Sequence, residues 1–191
     1  MNKFLSAAIA LSVLALSTIP AAKADTPTYF GTAQAMVNDG AQKCLDFYAG
    51  PPSSDPDAYA LQLWDCMGYY QPNKQWRWIG VGKDGEGDWD TFAFQNVATN
   101  TCIAVENNSM ADGARLVQAT CDYTNPGQLW IRATKIGPSK PATYRTKWIN
   151  VNSGKCMDAW NKDNGVKLQQ WTCQFTRYWW QQEFFVNYFV N

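Results

Sequence analysis

The sequence predicts an all-β protein built from three similar units around one shared core. Three observations lead there. The six cysteines fall into pairs, Cys44/Cys66, Cys102/Cys121 and Cys156/Cys173, the members of each pair about twenty residues apart. After each pair a short polar stretch leads to an aromatic anchor: Trp76 in NKQWRW, Trp130 in GQLWIR and Phe184 in QQEFFV. These anchors stand at a constant step of 54 residues, the self-similarity that marks a repeat architecture. The segments between are short, apolar or alternating, and bounded by turn residues, and no helical period is sustained over eleven residues.

The chain begins MNKFLSAAIALSVLALSTIPAAKA, with a lysine near the start, an apolar run from Phe4 to about Leu16, and Ala22-Lys23-Ala24 at the end. That is the layout of a secretory signal peptide, and the apolar run is too short to span a bilayer comfortably. Residues 1–24 are therefore set aside. Residues 25–191 are expected to form one secreted, extracellular domain with no membrane insertion.

Removal of Lys3 and Lys23 tips the balance of 16 basic and 16 acidic residues to a slight net negative charge. With no basic run or stripe, neither nucleic acid nor an anionic membrane is expected as a partner. Histidine is absent, which excludes Ser-His-Asp, Cys-His and His-ligated zinc chemistry. Ten tryptophans and 15% aromatic residues in such a chain favour binding over catalysis.

The strand signals run in order. TFAFQNV (91–97) and KWINVNSG (147–154) alternate like half-buried strands, and KLQQWTC and EFFVNYFV carry β-branched and aromatic residues. NDG, KDGEGD, ADG and DNG are turn-forming. RYWWQQEFF (177–185) reads mostly as core strand, with Trp179 as an added contact. A unit of this size is marginal as an independent core, so three of them suggest pseudo-threefold assembly, with Trp76, Trp130 and Phe184 meeting near the axis.

Six cysteines in an exported chain imply three disulfides, with fifteen possible pairings. In a threefold assembly the two cysteines of one unit lie on neighbouring segments, which selects Cys44–Cys66, Cys102–Cys121 and Cys156–Cys173. Each loop of about twenty residues contributes roughly 3 kcal/mol in the chain-entropy model.

The third unit opens with GKCMDAWNKDNGVKLQQWTC (154–173), and a looser version, QKCLDFYAG…LQLWDC, spans 42–66. This unit resembles the ricin B-chain-type repeat. There Cys-x-Asp opens a sugar pocket, Gln-x-Trp-x-Cys supplies a platform, and a QxW motif closes the repeat. QxW is intact as Gln128-Leu129-Trp130 and altered to Lys74-Gln75-Trp76 and Gln182-Glu183-Phe184. The resemblance covers about residues 35–191 and implies a β-trefoil that binds carbohydrate. The units are longer than the family's usual repeat, with extra residues in VGKDGEGDWD and KIGPSKPATYR.

The chemistry of a sugar accounts for the pattern. One ring face is a patch of C–H groups that lies well on an indole. The hydroxyls need fixed partners: a carboxylate accepts from neighbouring O–H groups through charge-assisted bonds, and an amide donates and accepts. The resemblance assigns Asp46, Trp64 and Asn73 to these roles in unit one, with Gln62 beside the platform and Tyr48 beside the acid. In unit three it assigns Asp158, Trp171 and Gln181, with Gln169 and Trp160. Gln181 stands where the family usually has Asn. The loop 50–58, GPPSSDPDA, is long enough to reshape the first pocket. Unit two keeps both cysteines and QxW but has Ala104, Val117, Ala119 and Gly127 at the acid, Gln, Trp and amide places.

Simpler roles compete with these. Aspartate also caps turns, and Trp64 and Trp171 could be core residues. The joint presence of Asp, Gln and Trp in units one and three, and their joint absence in unit two, favours binding. Leu61, Leu63 and Leu168 supply an inward face that leaves the indoles outside, and Tyr48 and Trp160 could equally be ordinary surface.

Asp84, Glu86, Asp88 and Asp90 crowd one stretch but miss the EF-hand spacing and read as a solvated hairpin, so neither metal nor cofactor is expected. Asn107-Asn108-Ser109 is a glycosylation sequon in the degenerate unit.

The expectation is therefore a secreted, non-catalytic lectin. Its ligands would be galactose/GalNAc-type glycans first and xylan-like chains second, with sites in units one and three. The alternatives are the cell-binding subunit of a multi-component toxin, partnered by a catalytic subunit, and a trefoil protease inhibitor acting through its loops.

Overall fold

A computed structural model describes residues 26–47, 59–66, 71–83, 89–133, 145–175 and 179–187. The signal-peptide expectation, Tyr48, the loop 50–58, Asp84, Glu86 and Asp88, and most of KIGPSKPATYR lie outside the described residues.

The fold is a β-trefoil, with twelve strands among the described residues, four to a repeat. Repeat one holds β1 (Thr28–Asn38), β2 (Lys43–Phe47), β3 (Leu61–Asp65) and β4 (Trp76–Lys83). Repeat two holds β5 (Trp89–Asn96), β6 (Thr101–Val105), β7 (Leu116–Thr120) and β8 (Trp130–Ala133). Repeat three holds β9 (Arg145–Asn150), β10 (Cys156–Asp158), β11 (Gln169–Trp171) and β12 (Phe184–Asn187). The first and fourth strands of the repeats close an antiparallel ring, β1-β4-β5-β8-β9-β12 and back to β1. Closure leaves those strands no free edge. The middle strands form three hairpins, β2–β3, β6–β7 and β10–β11.

The hairpins meet in a threefold pattern of bridges: Ala60 with Val117, Arg115 with Gln169, and Lys167 with Gln62. Each bridge joins equivalent positions, so the edge of one repeat's hairpin borders the next.

The expected anchors lie in the core. Trp76, Trp130 and Phe184 are fully buried in one cluster with Leu45, Ile103 and Met157, the residues that follow the first cysteines. The indole N–H groups are satisfied there, Trp76 Nε1 donating to the Leu45 carbonyl at 3.2 Å and Trp130 Nε1 to that of Ile103 at 3.4 Å. Phe94 and Trp148 pack edge to face at 4.7 Å within the same cluster, the preferred geometry for aromatic pairs. The three expected disulfides form, with Cα–Cα distances of 5.1, 5.0 and 5.0 Å.

A second threefold set is polar. Asn38, Asn96 and Asn150 end the first strand of each repeat and are buried. Asn96 Nδ2 donates to the carbonyls of Asn73 and Gln75, and Asn150 Nδ2 to those of Gly127 and Leu129. Asn38 Nδ2 does the same for Trp180, Gln181 and Glu183. Their Oδ1 atoms accept from the backbone N–H of the turn that follows, Ala41, Ala98 and Asn152 among them. Each asparagine thereby ties the segment before an aromatic anchor to the start of the next turn, supplying partners that buried backbone groups require.

Those segments are single 3₁₀ turns, Pro72–Lys74, Pro126–Gln128 and Trp180–Gln182. The third corrects the expectation that 177–185 is mostly strand: among the described residues of that stretch, the strand begins only at Phe184. In that turn the Gln182 side chain is buried, where it bonds Thr172, Gln174 and, on β10, Asp158.

Candidate functional site

The Cys-x-Asp and Gln-x-Trp-x-Cys segments are the two strands of each hairpin. In repeat one, Asp46 lies opposite Gln62 and Cys44 opposite Trp64. In repeat three, Asp158 lies opposite Gln169 and Cys156 opposite Trp171. Side chains two apart share a face of a strand, so this register groups acid, amide and indole on one side. The disulfide, two residues beyond the Trp, closes the hairpin.

Both acids are buried and bonded. Gln62 Nε2 donates to Asp46 Oδ2 at 3.0 Å, and Asn73 Nδ2 donates to Asp46 Oδ1. Gln169 Nε2 donates to Asp158 Oδ1 at 3.1 Å, and Gln182 Nε2 to Asp158 Oδ2 at 3.2 Å. Burial pushes both carboxyls above the ordinary carboxylate range, opposed at Asp46 by Gln62, Lys74 and Asn73 and at Asp158 by Gln169 and Gln182. Desolvation disfavours the charged form, and the amide donors favour it.

The indoles face outward, Trp64 and Trp171 each 42% exposed and Trp160 61%, while Leu61, Leu63 and Leu168 are fully buried. Asp158, Trp160, Gln169, Trp171 and Gln181 line one cleft of about 440 Å³, together with Trp179. The neighbouring repeat's turn edges each indole. A Cβ built on Gly113 would sit 3.7 Å from Trp171, and one built on Gly165 would sit 3.6 Å from Trp64.

The structure divides the expected amide role in repeat three. Asn73 donates to Asp46, but its counterpart Gln181 lines the cleft while Gln182 holds the acid. Gln182 is the Gln of the altered QxW and is equivalent to Gln128. Gln128 Nε2 donates to the Thr120 carbonyl at 3.0 Å, and its Oε1 accepts from Asp122 N at 3.0 Å. Gln182 makes the matching bonds to the Thr172 carbonyl and Gln174 N. That shared position was the available sequence signal. Lys74 takes the place in repeat one, buried at 3% exposure.

Repeat two has neither acid nor platform, and its amide place is filled from elsewhere. A Cβ on Gly127 would fall 1.9 Å from Oδ1 of Asn108, so any larger residue there would have to displace that side-chain amide. Glu106, at the place of Tyr48 and Trp160, is engaged by Arg115 at 2.7 and 3.1 Å. Among the described residues no cluster of potential metal ligands occurs.

Comparison with known proteins agrees with this geometry. The family described as ricin-type beta-trefoil lectin domain-like matches residues 72–171. No curated protein matches the chain by sequence. Among solved structures, the chain is similar to a designed three-fold symmetric protein, ThreeFoil, at 20% identity and TM-score 0.59, covering 81% of this chain and 96% of that one. It is also similar to an exo-β-1,3-galactanase from Clostridium thermocellum, at 22% identity and TM-score 0.64, covering 81% of this chain but 30% of the enzyme. A Polyporus squamosus lectin aligns at 13% identity and TM-score 0.61, covering 83% of this chain and 50% of that one. At these identities the structures speak for the fold, and the family match speaks for descent: the chain belongs to the ricin-type β-trefoil lectin-domain family.

Proposed function

We propose that this protein is a secreted, non-catalytic lectin with two sugar sites, in repeats one and three, and that galactose-type glycans are its first ligand class. The observation that carries the reading is the repeat-three cleft. There a buried carboxylate, oriented by two amides, opens beside the exposed indole of Trp171. Two amide donors fix the carboxylate, and its remaining lone pairs accept hydroxyl protons from a sugar. Trp171 offers a flat surface to the ring's C–H face, and the Gln181 amide and the Trp160 and Trp179 rings supply further walls. A shallow aromatic cleft with a few placed polar groups suits a small polar ligand.

Catalysis is disfavoured by the same lining. Hydrolysis of a glycosidic bond by the common route uses two carboxyl groups about 5 to 9.5 Å apart, and among the described residues Asp158 is the sole acid lining the cleft. Repeat one repeats the carboxylate–amide–indole arrangement, and two sites on a rigid domain would give avidity for clustered glycans.

The test is a glycan array probed with the disulfide-intact protein and its Asp46→Ala, Asp158→Ala and doubly substituted forms. Binding to galactose-terminated glycans that weakens in each single variant and vanishes in the double supports the reading. Preference for xylan-like chains with the same dependence keeps the lectin and changes its ligand. A blank array from folded protein, or binding unchanged in the double variant, overturns it and favours a loop-borne protein interaction.

A further inference from the structure

The two candidate pockets differ in charge, and the difference comes from residues outside the paired motifs. At pocket one, Lys167 Nζ reaches in from the repeat-three hairpin and donates to Gln62 Oε1 at 3.0 Å. Gln62 in turn donates to Asp46. Ammonium and carboxylate thus sit one amide apart on the same rim. An ammonium has three donors, and among the described residues this is the one hydrogen bond Lys167 makes, with its side chain half-buried. Lys74, buried behind Asp46, and Lys167 at the rim both favour the ionised acid, so among the described residues two cations face that one carboxylate.

Pocket three is built the opposite way. The residue equivalent to Lys167 at its border is Arg115, whose guanidinium is bound twice by Glu106. Behind Asp158, the buried Lys147 is matched by Glu183 at 2.9 Å. Asp112 on the bordering turn is matched by Lys155 at 2.8 Å. Among the described residues the cleft is lined by one acid, two amides and three indoles and by no cation.

Resting on the lectin reading, we infer that the repeat-one pocket takes a carboxylate-bearing sugar such as a uronic acid, with Lys167 as its anion-contacting residue, while the repeat-three pocket takes neutral sugar. A hydroxyl on the ring binds Asp46, and the acidic substituent of the same ring meets the Lys167 ammonium. Like-charge contact with Asp158 disfavours the same sugar in pocket three.

The experiment titrates the disulfide-intact protein with methyl glycosides of galacturonic and glucuronic acid and of their neutral parents, galactose and glucose. Tryptophan fluorescence reports binding. In Asp158→Ala protein, which leaves pocket one, one of the acids should bind about tenfold more tightly than its neutral parent, as expected for one charge-assisted hydrogen bond. In Asp46→Ala protein the neutral parent should bind better. Lys167→Gln, which keeps an N–H donor toward Gln62, should abolish the acid preference, and Lys167→Arg should retain it. Added salt should shrink the preference. Equal or weaker binding of both acids by Asp158→Ala protein, or an acid preference unchanged in Lys167→Gln, overturns the inference. Neutral-sugar binding lost in Asp158→Ala then shows that the lectin reading survives. No binding of any probe by the folded protein overturns both.

Discussion

Gln182 Nε2 donates to Oδ2 of Asp158 at 3.2 Å, from one residue beyond the amide that the repeat pattern singles out. Gln182 is buried and also serves Thr172 and Gln174, whereas Gln181 faces the cleft. Of the two adjacent glutamines, one therefore holds the acid and the other lines the cleft. Gln182→Ala should lower stability by about 1–3 kcal/mol, the cost of leaving buried groups unpaired, and should weaken glycan binding as well. Gln181→Ala should weaken binding with the denaturant midpoint unchanged. Urea unfolding and sugar titration of the two variants check the division.

The buried asparagines offer a test of the fold itself. Asn96 donates to two carbonyls and accepts from Ala98 and Thr99. Asn96→Ala should destabilise by about 1–3 kcal/mol, visible as a lower urea midpoint. The effect should match that of Asn150→Ala, because the two sites make equivalent bonds.

The tryptophans should split into two kinds. Trp130→Ala removes a fully buried anchor and should cost about 3–5 kcal/mol. Trp171→Ala removes a half-exposed indole at the cleft. It should leave the thermal midpoint near that of the parent while reducing glycan affinity severalfold. Calorimetric unfolding alongside titration separates the two.

The pH dependence of binding and of stability should run in opposite directions. Burial raises the carboxyls of Asp46 and Asp158 above their ordinary value of 3.8. A raised carboxyl favours the protonated folded form. Its contribution to stability is therefore full below the ordinary value and is lost as pH rises through the raised one. Sugar binding needs the ionised acceptor, so it should fade on acidification already above the ordinary carboxylate range. Asp158→Asn sets its Nδ2 against one of the two amide donors, so it should lower the unfolding midpoint less at pH 7 than at pH 3 and bind sugar poorly at both. A midpoint shift equal at the two pH values would contradict this account.

Particular residues mark how far the sequence could be read. The anchor step of 54 residues, the cysteine pairs and the outward Trp64 and Trp171 were legible because each follows from spacing along one strand or one hairpin. Cys-x-Asp opposite Gln-x-Trp-x-Cys is a period-two pattern, and antiparallel pairing converts it directly into a shared face. The threefold symmetry, too, follows from repetition. A unit that cannot enclose its own core must share one.

Other features depend on contacts between segments far apart in the chain. The QxW position marks Gln182 as the counterpart of Gln128, but nothing local says that it, rather than Gln181, reaches Asp158. The 3₁₀ turn decides which of them points inward. Asn108 closes the place above Gly127 from another part of repeat two. Lys167 reaches Gln62 only because the β-trefoil seats the third hairpin against the first. The sequence by itself determined the repeats, their cross-links and which residue types each pocket holds, since covalent spacing and strand alternation are local. Only the closed tertiary structure decided which amide holds each acid, which pocket is blocked and where the charges fall, because hydrogen bonds and fields act between atoms that closure alone brings together.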